Sequence, residues 1–221
     1  SGVTPEKHLL IENSIFEPVR LCASSEQPPD VKNEPPDIFA PDHRVIVYAG
    51  TFEPYQGVEL LVRAFATVVA SLPGAHLLLV GGTDEQQAGI RALISELGIE
   101  ASCQLTGTVP RSVAQHLSAR ADVLVSPRLH GTNTPLKIYE QLASGKPLVA
   151  TRIWSHTQVL DDSVCFLAEP EPAEFAVALS SAVAGGDECL QRVANARALY
   201  AREYSRPDYE RKIRRLLEIL G

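Results

Sequence analysis

One pattern limits this chain more than any other. Short apolar runs end in Gly or Ser-Pro and alternate with helix-periodic segments. Val45-Ile46-Val47-Tyr48-Ala49 closes on Gly50, and His76-Leu77-Leu78-Leu79-Val80 closes on Gly81-Gly82. Gln104-Leu105-Thr106 closes on Gly107, and Val123-Leu124-Val125 on Ser126-Pro127. Pro147-Leu148-Val149-Ala150 and Val164-Cys165-Phe166-Leu167 supply a fifth and a sixth run. Between the first two, Leu60, Leu61, Ala64, Phe65, Val68 and Val69 recur at helical spacing after Gly57, until Pro73-Gly74 stops them. Helices are expected at 84–97 (stopped by Gly98), 113–119, 135–144, 171–184, 187–203 and 207–220. Runs that are apolar on both faces and alternate with helices make βαβ units around a parallel sheet. The expected fold class is therefore α/β, a Rossmann-like parallel six-stranded sheet flanked by helices. Such sheets bind ligands at the carboxyl ends of their strands, near the topological switch point. The loops after residues 49, 80, 106 and 125 are where function belongs.

Residues 1–43 break the pattern. Leu9-Leu10-Ile11 reads as a short strand and Asn13-Ser14 as a turn. A Pro-rich acidic stretch follows from Glu26 to Asp37, where the prolines prevent regular structure and favour an extended linker. The domain is expected at 44–205, with a separate C-terminal helix at 206–221. With 45% apolar residues the chain can build a core. A net charge of −7 argues against nucleic acid as a partner. No run of 18 apolar residues exists to cross a membrane. Cys22, Cys103, Cys165 and Cys189 are scattered, so they read as thiols in a cytoplasmic protein, with no metal-ligand spacing. No residue is Met, so Ser1 is not a natural start and a longer parent protein is expected.

The first loop, Gly50-Thr51-Phe52-Glu53-Pro54-Tyr55-Gln56-Gly57, joins a strand to a helix amino terminus. Free amides and the helix dipole there suit phosphate. The loop is neither Gly-x-Gly-x-x-Gly nor a Walker loop, so an unliganded βα turn is an equal reading. The fourth loop, Ser126 to Glu140, is richer. Gly131 permits close ligand approach, Thr132, Asn133 or Thr134 can cap the next helix, and Pro135 suits its first turn. Arg128 is a candidate bidentate partner for an anion. Lys137 and Glu140 lie on one side of the helix, which leaves a plain surface ion pair as the alternative. His76, His116, His130 and His156 are isolated in sequence. Only His130 is kept as a candidate, because of its loop. The Arg211–Arg215 run, interleaved with leucines, is most simply the wet face of an amphipathic helix.

Taken together, the order of these segments resembles the carboxy-terminal domain of GT-B retaining glycosyltransferases of the group 1, or family four, type. The segments are Gly50-Thr-Phe-Glu-Pro-Tyr-Gln-Gly-Val-Glu-Leu-Leu, Leu79-Val-Gly-Gly, Leu105-Thr-Gly-Thr-Val, Ala121-Asp-Val-Leu-Val-Ser-Pro-Arg and the stretch from Asn133-Thr-Pro-Leu-Lys through Leu148-Val-Ala-Thr. The resemblance covers about 44–205, and the opening Gly2-to-Ser14 segment resembles the end of that family's amino-terminal domain. It implies one half of a two-domain enzyme: the half that binds a nucleoside-diphosphate sugar, with an acceptor domain before it. It implies Gly50 and Thr51 beside the diphosphate, Val109 meeting the base, and Gly131, Thr132, Asn133 and Thr134 offering amides to phosphate and sugar. Glu140 would hold the ribose hydroxyls. No cofactor and no obligatory metal are implied, and membrane association would come only through the full-length protein. Three positions depart from the pattern. The first acid of Glu-x7-Glu is Thr132, the Arg after the first Gly is Thr51, and the Lys before Gly57 is Gln56. Arg128 and Lys137 are the candidate catalytic cations that would replace the missing charge on the leaving diphosphate. A nucleotide-sugar 2-epimerase of the same architecture and a degenerate nucleotide-binding scaffold are the alternatives. Bacterial surface polysaccharide or glycoconjugate synthesis is the expected setting.

Overall fold

The computed structural model describes residues 38–220. The strand at 9–11, Cys22, the Pro-rich linker and the opening segment that resembles a preceding domain lie outside the described residues.

Six strands form one sheet: β1 (Arg44–Ala49), β2 (Ala75–Val80), β3 (Cys103–Gly107), β4 (Val123–Ser126), β5 (Leu148–Thr151) and β6 (Phe166–Ala168). Their order is β3-β2-β1-β4-β5-β6, and every pairing is parallel. Alternation along each strand sends side chains to two cores. Ile46, Tyr48, Leu77, Leu79, Val123 and Val125 face one side. There they meet Leu61 and Phe65 of α1 (Val58–Ser71) and Phe175 and Leu179 of α6 (Pro172–Ala184). Val45, Val47, Leu78, Leu124 and Leu148 face the other. They meet Leu117 of α3 (Arg111–Ala119), Ile138 and Leu142 of α4 (Leu136–Ala143) and Ala196 of α7 (Asp187–Leu199). Each fully buried Leu, Ile or Phe contributes about 1.5–3 kcal/mol, so these layers drive the fold.

The other helices are α2 (Asp84–Glu96), α5 (Trp154–Thr157) and α8 (Arg206–Leu220). Helix α2 begins in a capping box between Thr83 and Gln86. No helix among the described residues is long and apolar enough to cross a membrane.

Three local expectations are corrected. The sixth strand starts at Phe166 rather than Val164, because the Val164 and Cys165 amides bond back to the Asp161 carbonyl in a turn. The segment expected as one helix over 187–203 is α7 followed by a π-helical turn at Tyr200–Tyr204. Helix α5 was not foreseen; four residues carry no readable period. The basic run of α8 is the wet face expected of it, with Arg211, Arg214 and Arg215 exposed, and ion pairs lace it. Arg211 and Lys212 both reach the buried Asp208 carboxylate, and Arg206 and Arg214 share Glu210. The cysteines among the described residues behave as expected. Cys165 and Cys189 are buried, Cys103 half-buried, and all three are free. Burial pushes the Cys103 and Cys165 thiols up to about 12.

Candidate functional site

Strand β1 has β2 on one side and β4 on the other. The chain leaves β1 toward α1 on one face and leaves β4 toward α4 on the opposite face. The two loops therefore diverge at the topological switch point, where open parallel sheets place their ligand crevice.

The β1 loop is shaped by backbone contacts. Gly50 N–H donates to the Val80 carbonyl at 2.9 Å. Tyr48 Oη, whose phenol burial holds well above its ordinary pKa, donates to the Thr51 carbonyl at 2.7 Å. Two glycines make close approaches that a side chain would forbid. A Cβ on Gly81 (φ +119°) would stand 2.0 Å from the Gly50 carbonyl oxygen. A Cβ on Gly57 (φ +71°) would stand 1.9 Å from the Pro127 carbonyl oxygen. Gly57 thus lets the β1 and β4 loops touch, and Leu129 N–H bonds the Tyr55 carbonyl at 2.9 Å across the same seam. Gln56 Oε1 is buried there without a hydrogen-bond partner.

The β4 loop supplies charge. Arg128 bends back over its own loop: Nε donates to the His130 carbonyl at 2.9 Å and Nη1 to the Asn133 carbonyl at 3.3 Å. Its guanidinium lies 5.3 Å from the Tyr55 ring centroid. Gly131 packs directly against that guanidinium, since a Cβ there would be 2.5 Å from Arg128 Nη2. Lys137, in the first turn of α4, lays Nζ 4.5 Å from the Tyr48 ring centroid. Burial first, and the nearby Arg128 second, lower the Lys137 ammonium to about 8. Among the described residues no carboxylate pairs with Arg128 or Lys137.

The expected site residues divide as follows. Gly50, Thr51, Arg128, Gly131 and Lys137 are on the crevice loops or at the head of α4. Thr132 and Asn133 are exposed on the same loop, and Thr134 is half-buried. The Thr132 carbonyl accepts from Gln158 Nε2 at 2.9 Å. None of these three side chains caps α4; Pro135 occupies the cap position in extended backbone and no side chain bonds the first turn. Lys137 and Glu140 do not form the surface pair that was the alternative. Lys137 turns onto Tyr48, and Glu140 Oε1 accepts from Arg111 Nη2 of α3 at 2.7 Å. Val109, half-buried, follows Gly107 and packs against the second core, while Thr108 Oγ1 donates to the Gly82 carbonyl at 3.2 Å. His130 contributes its carbonyl, and its ring is exposed 6.0 Å from Tyr55.

A different histidine is built into the site. His156 of α5 is fully buried with Ser126, Thr151 and Ser155. Its Nδ1 lies 2.8 Å from the Thr151 carbonyl, and its Nε2 lies 3.1 Å from Ser126 Oγ. These partners assign the proton to Nδ1 and make Nε2 the acceptor of the Ser126 hydroxyl. Thr151 Oγ1 in turn donates to the Arg128 carbonyl. Sequence reading missed this set because its members are up to 30 residues apart. Three exposed apolar side chains, Leu129, Leu136 and Trp154, stand on the same carboxyl edge of the sheet.

An all-parallel sheet in this order is a Rossmann-like domain with its switch point between β1 and β4. Solved structures agree in fold. Anabaena HepE in complex with UDP superimposes with a TM-score of 0.71 at 21% identity, over 80% of this chain and 49% of that one. Sucrose-phosphate synthase from Thermosynechococcus elongatus gives 0.69 at 23%, over 81% and 46%. D-inositol 3-phosphate glycosyltransferase of Segniliparus rotundus is 28% identical over 127 residues, 56% of this chain and 28% of that protein. The chain spans about a third of the length of the curated relatives it matches. The glycosyl transferases group 1 family matches residues 43–184, and the chain belongs to it.

Proposed function

We propose that this chain is the donor-binding half of a retaining glycosyltransferase, which moves a sugar from a nucleoside diphosphate to an acceptor hydroxyl. One observation carries the reading: Arg128 and Lys137 flank the switch-point crevice with no carboxylate partner among the described residues. Two neighbouring cations without counter-charge fit an anion, and a diphosphate is an anion of the right chemistry. As the bond from the sugar to the leaving diphosphate breaks, negative charge grows on the phosphate oxygens. Both cations would stabilise it, each charge-assisted contact contributing about 1.5–3 kcal/mol. Glycine at 50 and 131 lets Tyr48 Oη and the Arg128 guanidinium close on the loop backbone, where a Cβ would stand 2.8 and 2.5 Å from them. The Gly107–Val109 turn would border the base. Glu140 would turn from Arg111 to the ribose hydroxyls.

HepE, which shares this fold, was crystallised in complex with UDP, and that supports a nucleotide in this crevice. A preceding acceptor domain would face the exposed Leu129, Leu136 and Trp154. The reaction in this reading needs no metal, and unchanged nucleotide affinity in EDTA is the expected result. Calorimetry of the chain against UDP, GDP and ADP tests the reading. Saturable heat with at least one is expected, and no heat with any overturns it.

A further inference from the structure

We propose that His156 is a positioning residue for the diphosphate site, fixing the Arg128 backbone through Thr151 and the end of β4 through Ser126. The inference rests on the donor-binding reading above. His156, Thr151 and Ser126 are all fully buried, directly beneath the loop that carries Arg128. A buried polar group is retained at a cost unless its hydrogen bonds are made. Here both ring nitrogens are used, at 2.8 Å to the Thr151 carbonyl and 3.1 Å to Ser126 Oγ. The chain of contacts runs from His156 to Thr151, and from the Thr151 hydroxyl to the Arg128 carbonyl. The Arg128–Leu129 peptide is held on one side by this carbonyl contact and on the other by Leu129 N–H donating to the Tyr55 carbonyl at 2.9 Å, and the two together place the Arg128 Cα.

The charged groups acting on the ring are Lys137 of α4 and Arg128 of the β4 loop, both cations, while Ser126 and Thr151 are neutral. Burial, the largest cause, and these cations lower His156 to about 4, against a smaller upward pull from the Thr151 carbonyl. The ring is thus neutral at pH 7 and keeps Nε2 free to accept.

The test measures dissociation constants for whichever of UDP, GDP and ADP the wild-type chain binds, with circular dichroism as the folding control. Thr151→Val keeps the shape and deletes only the hydroxyl; it is expected to weaken binding about tenfold, and Thr151→Ser to restore it. His156→Leu is expected to weaken binding at least tenfold. His156→Asn, which keeps an N–H donor near the Nδ1 position, is expected to stay within threefold of wild type. In an Arg128→Ala background, Thr151→Val is expected to add nothing, because its effect runs through Arg128. A folded Thr151→Val protein that binds like wild type overturns this inference alone. So does an equal loss with and without Arg128, which marks a merely structural role. A wild-type chain that binds none of the three nucleotides overturns both readings.

Discussion

The two loops that form the crevice divide the labour unequally. The β1 loop gives shape and almost no charge: its contacts are Gly50 to Val80, Tyr48 to Thr51 and the Gly57 seam, and its free side chains are Thr51 and Gln56. The β4 loop and the head of α4 give Arg128 and Lys137, held over Tyr55 and Tyr48. Those two aromatic rings belong to the β1 side. Each cation is therefore seated on the β1 side, Lys137 on the strand and Arg128 on its loop, and charge and shape meet because Gly57 admits Pro127. A site of this kind can lose both cations that the group 1 resemblance leads one to expect at 51 and 56, provided the facing loop replaces them.

The most direct way to break this comparison is to remove charge from one side at a time. Arg128→Ala with Lys137→Ala is expected to weaken nucleoside-diphosphate binding on the order of 100-fold or more, from two charge-assisted contacts of about 1.5–3 kcal/mol each. Thr51→Ala with Gln56→Ala is expected to change it only about fivefold, since two neutral hydrogen bonds exchanged with water, at the low end of about 0.5–1.5 kcal/mol each, total about 1 kcal/mol. Calorimetry of the two double variants decides between them. Equal losses would mean that charge is not confined to the β4 side.

The seam itself is the next target. Gly57→Ala places a methyl 1.9 Å from the Pro127 carbonyl oxygen at φ +71°. Strained backbone alone costs about 1–3 kcal/mol, and separating the loops adds to it. A lowered melting temperature together with lost nucleotide binding is expected. Gly89→Ala, which meets nothing within 4 Å and sits inside α2, is the control expected to be neutral or stabilising.

The charged side also has a pH signature. Lys137 falls from its ordinary 10.5 to about 8 in the folded chain. Above pH 8 it loses the proton that attracts an anion, so diphosphate affinity is expected to fall by up to about tenfold per pH unit. Stability moves the other way. Between 8 and 10.5 the unfolded chain holds more protons than the folded one, so this residue's contribution to stability rises with pH. His156 has the same sign at the acid end: its contribution is present above 6.5 and is lost as pH falls toward 4. Lys137→Met is expected to flatten the alkaline affinity profile, as titration calorimetry from pH 7 to 10 would register.

How much of this was legible follows the range of each interaction. Strands β1, β2 and β4 were readable because local apolar runs decide burial on both faces. Helix α1 was readable because its apolar residues repeat at helical spacing. The candidacy of Arg128 and Lys137 was readable from a loop between a strand and a helix. Their lack of a carboxylate was not, because Lys137 and Glu140 stand at pairing distance in sequence while Tyr48 and Arg111 are far away. His130 attracted attention through its neighbours, yet it lends the site only a carbonyl. His156 drew none, since its partner Ser126 is 30 residues off and α5 is too short to show a period.

The smallest effect tests the part of the crevice that neither loop supplies. Arg111 and Glu140 pair at 2.7 Å, with side chains 58% and 28% exposed. A pair that open to solvent is worth less than about 1 kcal/mol, so Arg111→Ala is expected to leave the melting temperature nearly unchanged. Its informative effect is on ligands. Freed from Arg111, Glu140 needs no rearrangement to accept ribose hydroxyls, so nucleoside-diphosphate affinity is expected to rise by at most about fivefold, the equivalent of that pair energy. Inorganic pyrophosphate lacks the ribose, and its affinity is expected to stay constant. A parallel fall for both ligands would instead place Arg111 and Glu140 in the electrostatics of the phosphate site, because losing a cation there weakens anion binding by simple Coulomb attraction. The ratio of the two affinity changes therefore reports on the ribose contact, separately from the charge that Arg128 and Lys137 provide.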